Sequence, residues 1–206
     1  DAGAQGGIDS LQWRPSASRP PGPGEVSIEV RAAGLNFRDL MWGMGLLPEE
    51  ALIEGFAGPT FGLECAGIVR EVGPGVADLA VGDRVAGFAP AALATRVTTA
   101  SHAVTRIPNG TSFTAATTIP VTFVTAIYAL GTLGKLQAGE FVLIHAAAGG
   151  VGLAAIQYAK LRGATVIATA GSKVKREFLR LAGADHVLDS RDLGFADAVR
   201  AIASGG

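Results

Sequence analysis

Cysteine is almost missing: the 206 residues contain one, Cys65. A lone thiol excludes an internal disulfide and any metal site built from several cysteines, and it fits a reducing, cytoplasmic setting. Neither sign of charge dominates, with 17 Lys+Arg against 18 Asp+Glu and a net charge of -1. That balance provides no reason to expect a nucleic-acid partner or an acidic membrane surface. Long apolar runs are scarce, and Gly, Pro or a charge is expected to interrupt each one before it spans a bilayer. No basic-then-apolar segment opens the sequence, so no signal peptide is expected. A G-x-x-x-x-G-K-[ST] stretch is also missing, which excludes a P-loop.

What is present is a core-forming composition, 49% hydrophobic, with 29 glycines. The first figure argues against disorder; the second calls for many turns and close backbone approaches. Residues 1–24, rich in Pro, Gly and Ser, read as a linker or flexible leading segment. From Val26 the texture changes. VSIEVRAAG alternates as a half-buried strand does, and LECAGIVREVG, GDRVAGF and ATRVTTASHAVTRIP continue in short strand-like pieces between turn signals. Residues 25–120 are therefore expected to form a small, twisted, mostly β domain. From about Ser112 the spacing becomes helical, with Pro120 at a helix start or a break. Strand and helix then alternate: FVLIHA, VGLAAIQYAKLRG, TVIATA, KVKREFLRLAG, HVLDS, FADAVRAIASGG. Alternation at this spacing predicts a parallel sheet with right-handed crossovers in residues 121–206.

The stretch HAAAGGVGLAAIQYA joins the first of these strands to its helix. Backbone N–H groups and the positive end of a helix dipole favour a pyrophosphate there. Gly149, Gly150 and Gly152 remove side chains at the close approach, with Val151 between them. Ala147 replaces the first glycine of G-x-G-x-x-G. A tight turn with close packing would explain the same glycines, so the strand-loop-helix context is what carries the nucleotide reading. Gly152, Ala155, Ile156 and Ala159 are expected to form the helix face on the sheet. TVIATA does not end in the Asp or Glu that bonds the ribose hydroxyls of NAD. It ends in Gly171 and Ser172, followed by Lys173, Lys175 and Arg176. A hydroxyl and cations suit a 2′-phosphate, so NADPH is the expected cofactor. The competing explanation is a solvated basic first turn.

AAGLNFRDLM, FGLECAGIV, EVGPGV, GDRVAGF, VTFVTAIYAL and HAAAGGVG occur in the order seen in medium-chain dehydrogenases/reductases. LNFRD and GLECAG in particular resemble the enoylreductase domains of modular polyketide synthases and animal fatty acid synthase, from about residue 25 onward. The resemblance implies an α/β fold, with a GroES-like, mostly β substrate domain followed by a Rossmann-type parallel-sheet domain. It implies NADPH-dependent hydride transfer to the β-carbon of an enoyl thioester and protonation of the α-carbon. The thioester would be carried by an acyl carrier protein among neighbouring synthase domains. A stand-alone quinone or enoyl-CoA reductase is the nearest alternative, and a non-catalytic nucleotide-binding remnant is the other. Zinc-dependent relatives carry a cysteine where Asn36 stands and a histidine where Leu63 stands, so no metal is expected.

By the same resemblance, Asn36 and Thr125 would line the nicotinamide side of the site. Their plainer explanations are a turn-bonding Asn and a helix-surface Thr. Lys175 matches a lysine that meets the adenosine 2′-phosphate, and Arg191 would join it. Arg38 and Asp39 are expected to form a structural ion pair, and Cys65 to be a core residue. Leu47 occupies the position of a tyrosine that donates the α-carbon proton, so no proton donor is identified. The Rossmann half is expected to stop after its third strand and helix. On that expectation the fragment alone would be inactive, and the strand FVLIHA would be an open edge prone to self-association.

Overall fold

The alternation that begins at Val26 becomes strand β1, Glu25–Ala33. It belongs to an antiparallel sheet with β2 (Glu64–Val72), β3 (Arg84–Phe88), β4 (Arg96–Ala100) and β5 (Val104–Arg106), in the order β4-β1-β2-β3-β5. The computed structural model describes residues 7–17, 19–53 and 55–203. Two compact units divide the chain, Asp1–Pro120 and Val121–Gly206. In β1 the expected alternation fails at the start, where Val26, Ser27 and Ile28 are all buried. The register against β2 slips between Ser27 and Ile28. The extra residue at that slip is Arg70, so the bulge is carried by β2. Val26, Ile28, Cys65, Val69, Val85 and Val97 make the core of this unit.

Part of the leading segment is bound to the sheet. Arg19 forks onto the Glu25 carboxylate at 2.5 and 2.6 Å, and its carbonyl accepts from the Thr98 hydroxyl. The guanidinium, helped by the Gly22 N–H, holds the Glu25 carboxyl down at about 2. Residues 1–6 and 18 of that segment lie outside the described residues. Two short helices, α1 (Phe37–Gly43) and α2 (Glu49–Ile53), interrupt the β texture and were not foreseen.

Helix α3 (Phe113–Ala116) packs on β1 and β2, and α4 (Pro120–Ala126) starts at the proline, as its missing N–H favours. The helix then widens into π turns over Ile127–Leu133, where the Gly134 N–H reaches the Ala129 carbonyl at 2.8 Å. The expectation about apolar runs is corrected here. Phe113–Leu133 has a mean hydropathy of 1.5 and is long and apolar enough, by length and composition, to cross a membrane. Pro120 and Gly131 fall inside the stretch without ending it, and no charge falls within it.

The second unit has the predicted alternation. Strands β6 (Phe141–Ile144), β7 (Thr165–Ala170) and β8 (His186–Asp189) pair in parallel, in the order β6-β7-β8. Helix α5 (Gly150–Leu161) follows β6, α6 (Lys173–Leu181) follows β7, and α7 (Phe195–Ala203) follows β8. The last residues of the run predicted for α7, 204–206, lie outside the described residues. Gly152, Ala155, Ile156 and Ala159 are all buried on α5, as their spacing predicts. Ala155, Ile156 and Ala159, with Val142, Ile144, Val166, Ala168 and Leu179, belong to the core of this unit.

Candidate functional site

Between β6 and α5 the backbone makes a tight, buttressed loop. Ala146 takes a left-handed φ of 49°, and its carbonyl accepts the Gly149 N–H at 2.9 Å. Ala147 is fully buried, and its N–H donates to the Thr169 carbonyl of β7 at 3.1 Å. Gly152 presses on that residue: a Cβ at 152 would stand 2.5 Å from the Cα and carbonyl oxygen of Ala147. The third glycine of the motif therefore serves the loop itself more directly than the sheet. Gly149, Gly150 and Val151 are exposed, and Gly149 caps α5 without a side chain. The first-turn N–H groups of Gly150, Val151 and Gly152 thus open α5 with no side-chain cap. Such an arrangement suits a phosphate: first-turn donors with no side-chain cap bonded to them, on a helix long enough to carry a dipole.

The ends of β7 and β8 supply the second half of the candidate nucleotide site. Gly171 leaves room for Arg191, whose Nε would lie 2.9 Å from a Cβ at 171. Ser172 caps α6 by accepting the Lys175 N–H at 3.3 Å, which leaves the hydroxyl proton free to donate. Arg176 is committed to the Asp189 carboxylate at 2.7 Å and to the Ala170 carbonyl at 3.1 Å. Lys173 lies 4.0 Å from Glu177. The Lys175 and Arg191 side chains are exposed, and among the described residues no carboxylate is paired with either.

In the first unit, LNFRD and FGLEC interlock. Asn36 precedes α1, and its side-chain amide donates to Glu64 Oε1 at 3.1 Å. Asp39, 7% exposed, accepts the Gly62 N–H at 2.8 Å and the Asn36 N–H at 3.4 Å. Arg38 donates to the carbonyls of Gly58 and Thr60 and lies over the Trp42 ring. The Arg38–Asp39 ion pair expected from sequence is the lesser contact for both, at 3.7 Å. The buried Cys65 thiol is pushed up to about 12, first by burial and then by Glu64, which makes it inert. Sequence reasoning missed Glu64. The available signal was a carboxylate inside the otherwise apolar run FGLECAGIV.

Residues 22–127 match the alcohol dehydrogenase GroES-like domain family, and residues 150–206 match the zinc-binding dehydrogenase family. The chain belongs to the medium-chain dehydrogenase/reductase superfamily. Within that superfamily it is similar to the pikromycin polyketide synthase component PikAII of Streptomyces venezuelae, at 44% identity over 100% of this chain and 5% of that protein. Among solved structures, the CurK enoyl reductase matches with a TM-score of 0.90 at 45% identity, over 98% of this chain and 62% of that one. An Escherichia coli quinone oxidoreductase complexed with NADPH matches with a TM-score of 0.83 at 33% identity, over 98% and 61%. The chain thus spans a small part of its synthase relative and under two thirds of these reductases.

Two further positions singled out in this dehydrogenase/reductase chain can now be placed. Thr125 is exposed on α4, and its hydroxyl donates to the Val121 carbonyl at 2.7 Å, as a helix-surface threonine does. Leu47 is half-buried between α1 and α2. Among the described residues no three His, Cys, Asp or Glu side chains gather where a metal could sit. Chelator treatment followed by elemental analysis is expected to find no stoichiometric zinc and no loss of turnover. A tight zinc whose removal stops turnover would contradict the reading of Asn36 and Leu63.

Proposed function

We propose that this chain is the greater part of an NADPH-dependent enoyl-thioester reductase domain of a cytoplasmic polyketide synthase. The observation that carries the proposal is the likeness to the CurK enoyl reductase, 45% identical over 98% of this chain. NADPH, when bound, supplies the hydride that adds to the β-carbon of the unsaturated thioester. The residues present fit that cofactor. The uncapped first turn of α5 at Gly150, Val151 and Gly152 would take the pyrophosphate, with Ala147 and Gly149 shaping the loop. Gly171, Ser172, Lys175 and Arg191 would take the 2′-phosphate. Asn36 would orient the nicotinamide side, with Thr125 as a weaker candidate for the same task. Leu47 has no proton to give, so the α-carbon is protonated by water or by another group.

The substrate in this proposal is carried by an acyl carrier protein beside neighbouring synthase domains, with no nucleic acid or membrane involved. The assay is NADPH oxidation with a crotonyl thioester, run on the 206-residue chain and on the protein extended past Gly206. Turnover is expected from the longer protein and little from the shorter. Oxidation driven by a quinone and by no enoyl thioester would favour the second reading, a quinone reductase, which rests on the quinone oxidoreductase likeness. The outer edge of β6 carries no strand among the described residues. Backbone donors and acceptors beside apolar side chains invite pairing there. The 206-residue chain alone is therefore expected to self-associate, and a monodisperse monomer in light scattering would refute this.

A further inference from the structure

Glu64 opens β2 in an apolar run, and it is 3% exposed. A carboxylate taken from water at such a position is costly unless it is bonded. One of its bonds is to the Asn36 side chain, from Nδ2 to Oε1 at 3.1 Å. The space it occupies exists because residue 34 is glycine. A Cβ there would stand 2.4 Å from Oε1, 2.5 Å from Cγ and 2.6 Å from Cδ. The Gly34 N–H also donates to the Glu64 backbone carbonyl at 3.1 Å, so the two residues are held in register.

This arrangement constrains the Asn36 amide. A carboxylate can only accept, so it draws Nδ2 toward itself; the amide oxygen faces the Asp39 N–H in a capping box, which leaves one amide N–H for another partner. Asp39 fixes the backbone end of the same residue. We infer that Glu64, seated over Gly34, is the positioning residue of Asn36 and sets which end of its amide is presented to ligand. The inference rests on the proposed role of Asn36 at the nicotinamide side. Glutamine at 64 could accept or donate, so it would keep the shape and lose the selection. Alanine at 34 would displace the carboxyl without removing any hydrogen-bonding group.

The test uses the protein extended past Gly206 with Asn36→Ala, Glu64→Gln, Gly34→Ala, and Asn36→Ala combined with Glu64→Gln. Two readouts separate the inference from the functional reading beneath it. The first is the pair of side-chain amide proton resonances of Asn36, identified by their loss in Asn36→Ala. Glu64→Gln and Gly34→Ala are each expected to shift that pair, and unmoved resonances overturn the inference whatever the activity. The second is kcat with the NADPH Kd from nicotinamide fluorescence. Each single variant is expected to lose about 10–100-fold in kcat. The double variant is expected to lose no more than Asn36→Ala alone, because residues acting as one unit are not additive. Multiplicative losses would show that Glu64 acts independently of Asn36 and overturn the inference. Asn36→Ala with unchanged kcat and Kd, beside shifted resonances in the Glu64 variant, would overturn the role of Asn36 and leave the positioning contact standing.

Discussion

Gly152→Ala is expected to destabilise the protein by about 2 kcal/mol or more and to lower its Tm by roughly 4–8 °C. Two effects oppose each other at this position. Alanine in a helix is favoured over glycine by about 1 kcal/mol. Against this, the new Cβ would meet the Cα, carbonyl oxygen and carbonyl carbon of Ala147 at 2.5, 2.5 and 2.6 Å. All three are backbone atoms, and they cannot retreat easily. Ala147 is fully buried, its N–H is bonded to Thr169, and the preceding residue already holds a left-handed φ. Overpacking against rigid atoms costs about 3 kcal/mol, at the upper end of the usual range, so the clash wins. Gly150→Ala is the control. Its Cβ would meet a methyl, Thr122 Cγ2, at 3.1 Å, and the change in stability should stay within about 0.5 kcal/mol. Thermal unfolding followed by circular dichroism measures both. An unchanged Tm for Gly152→Ala would mean that the loop is far softer than its contacts indicate.

Sequence alone left a tight turn and a phosphate loop standing side by side. In the structure Gly152 is packed against Ala147, while Gly149 and Gly150 lie exposed at the start of α5, where the phosphate is proposed to sit. The switch from strand period to strand-helix alternation was legible because β7, α6 and β8 are each bounded by Gly or Ser and carry a regular pattern. Helices α1 and α2 were not legible. At 7 and 5 residues they are too short for a periodic stripe, and Phe37, Leu40 and Ile53 stay exposed where an amphipathic pattern would bury them. The π turns at Ile127–Leu133 were hidden for another reason. Gly131 there faces the Tyr158 hydroxyl, which a Cβ would meet at 2.2 Å, and nothing in the local pattern reports a tyrosine on another helix. The link between Asn36 and Glu64 was invisible likewise, since it crosses 28 residues and depends on a glycine at 34.

Replacing Lys175 with Glu is expected to weaken NADPH binding by roughly 10–150-fold, the equivalent of one lost charge-assisted contact of about 1.5–3 kcal/mol. NADH binding should barely change. The proposed selectivity rests on the end of β7. The strand closes at Ala170, and Gly171 and Ser172 follow where an acidic residue would bond an unphosphorylated ribose. Of the nearby cations, Arg176 is already bound to Asp189 and Lys173 lies near Glu177. Arg191 folds over Gly171, and Lys175 projects from the first turn of α6, whose dipole also favours an anion. These two are therefore the charges available to a phosphate. Glutamate at 175 both removes one and adds repulsion, while Arg191→Ala removes the other and should cost less. Fluorescence titration of the longer protein with NADPH and NADH decides the matter. Equal affinity for the two nucleotides in the unmodified protein would sink the assignment, and so would a Lys175→Glu variant that weakens both alike.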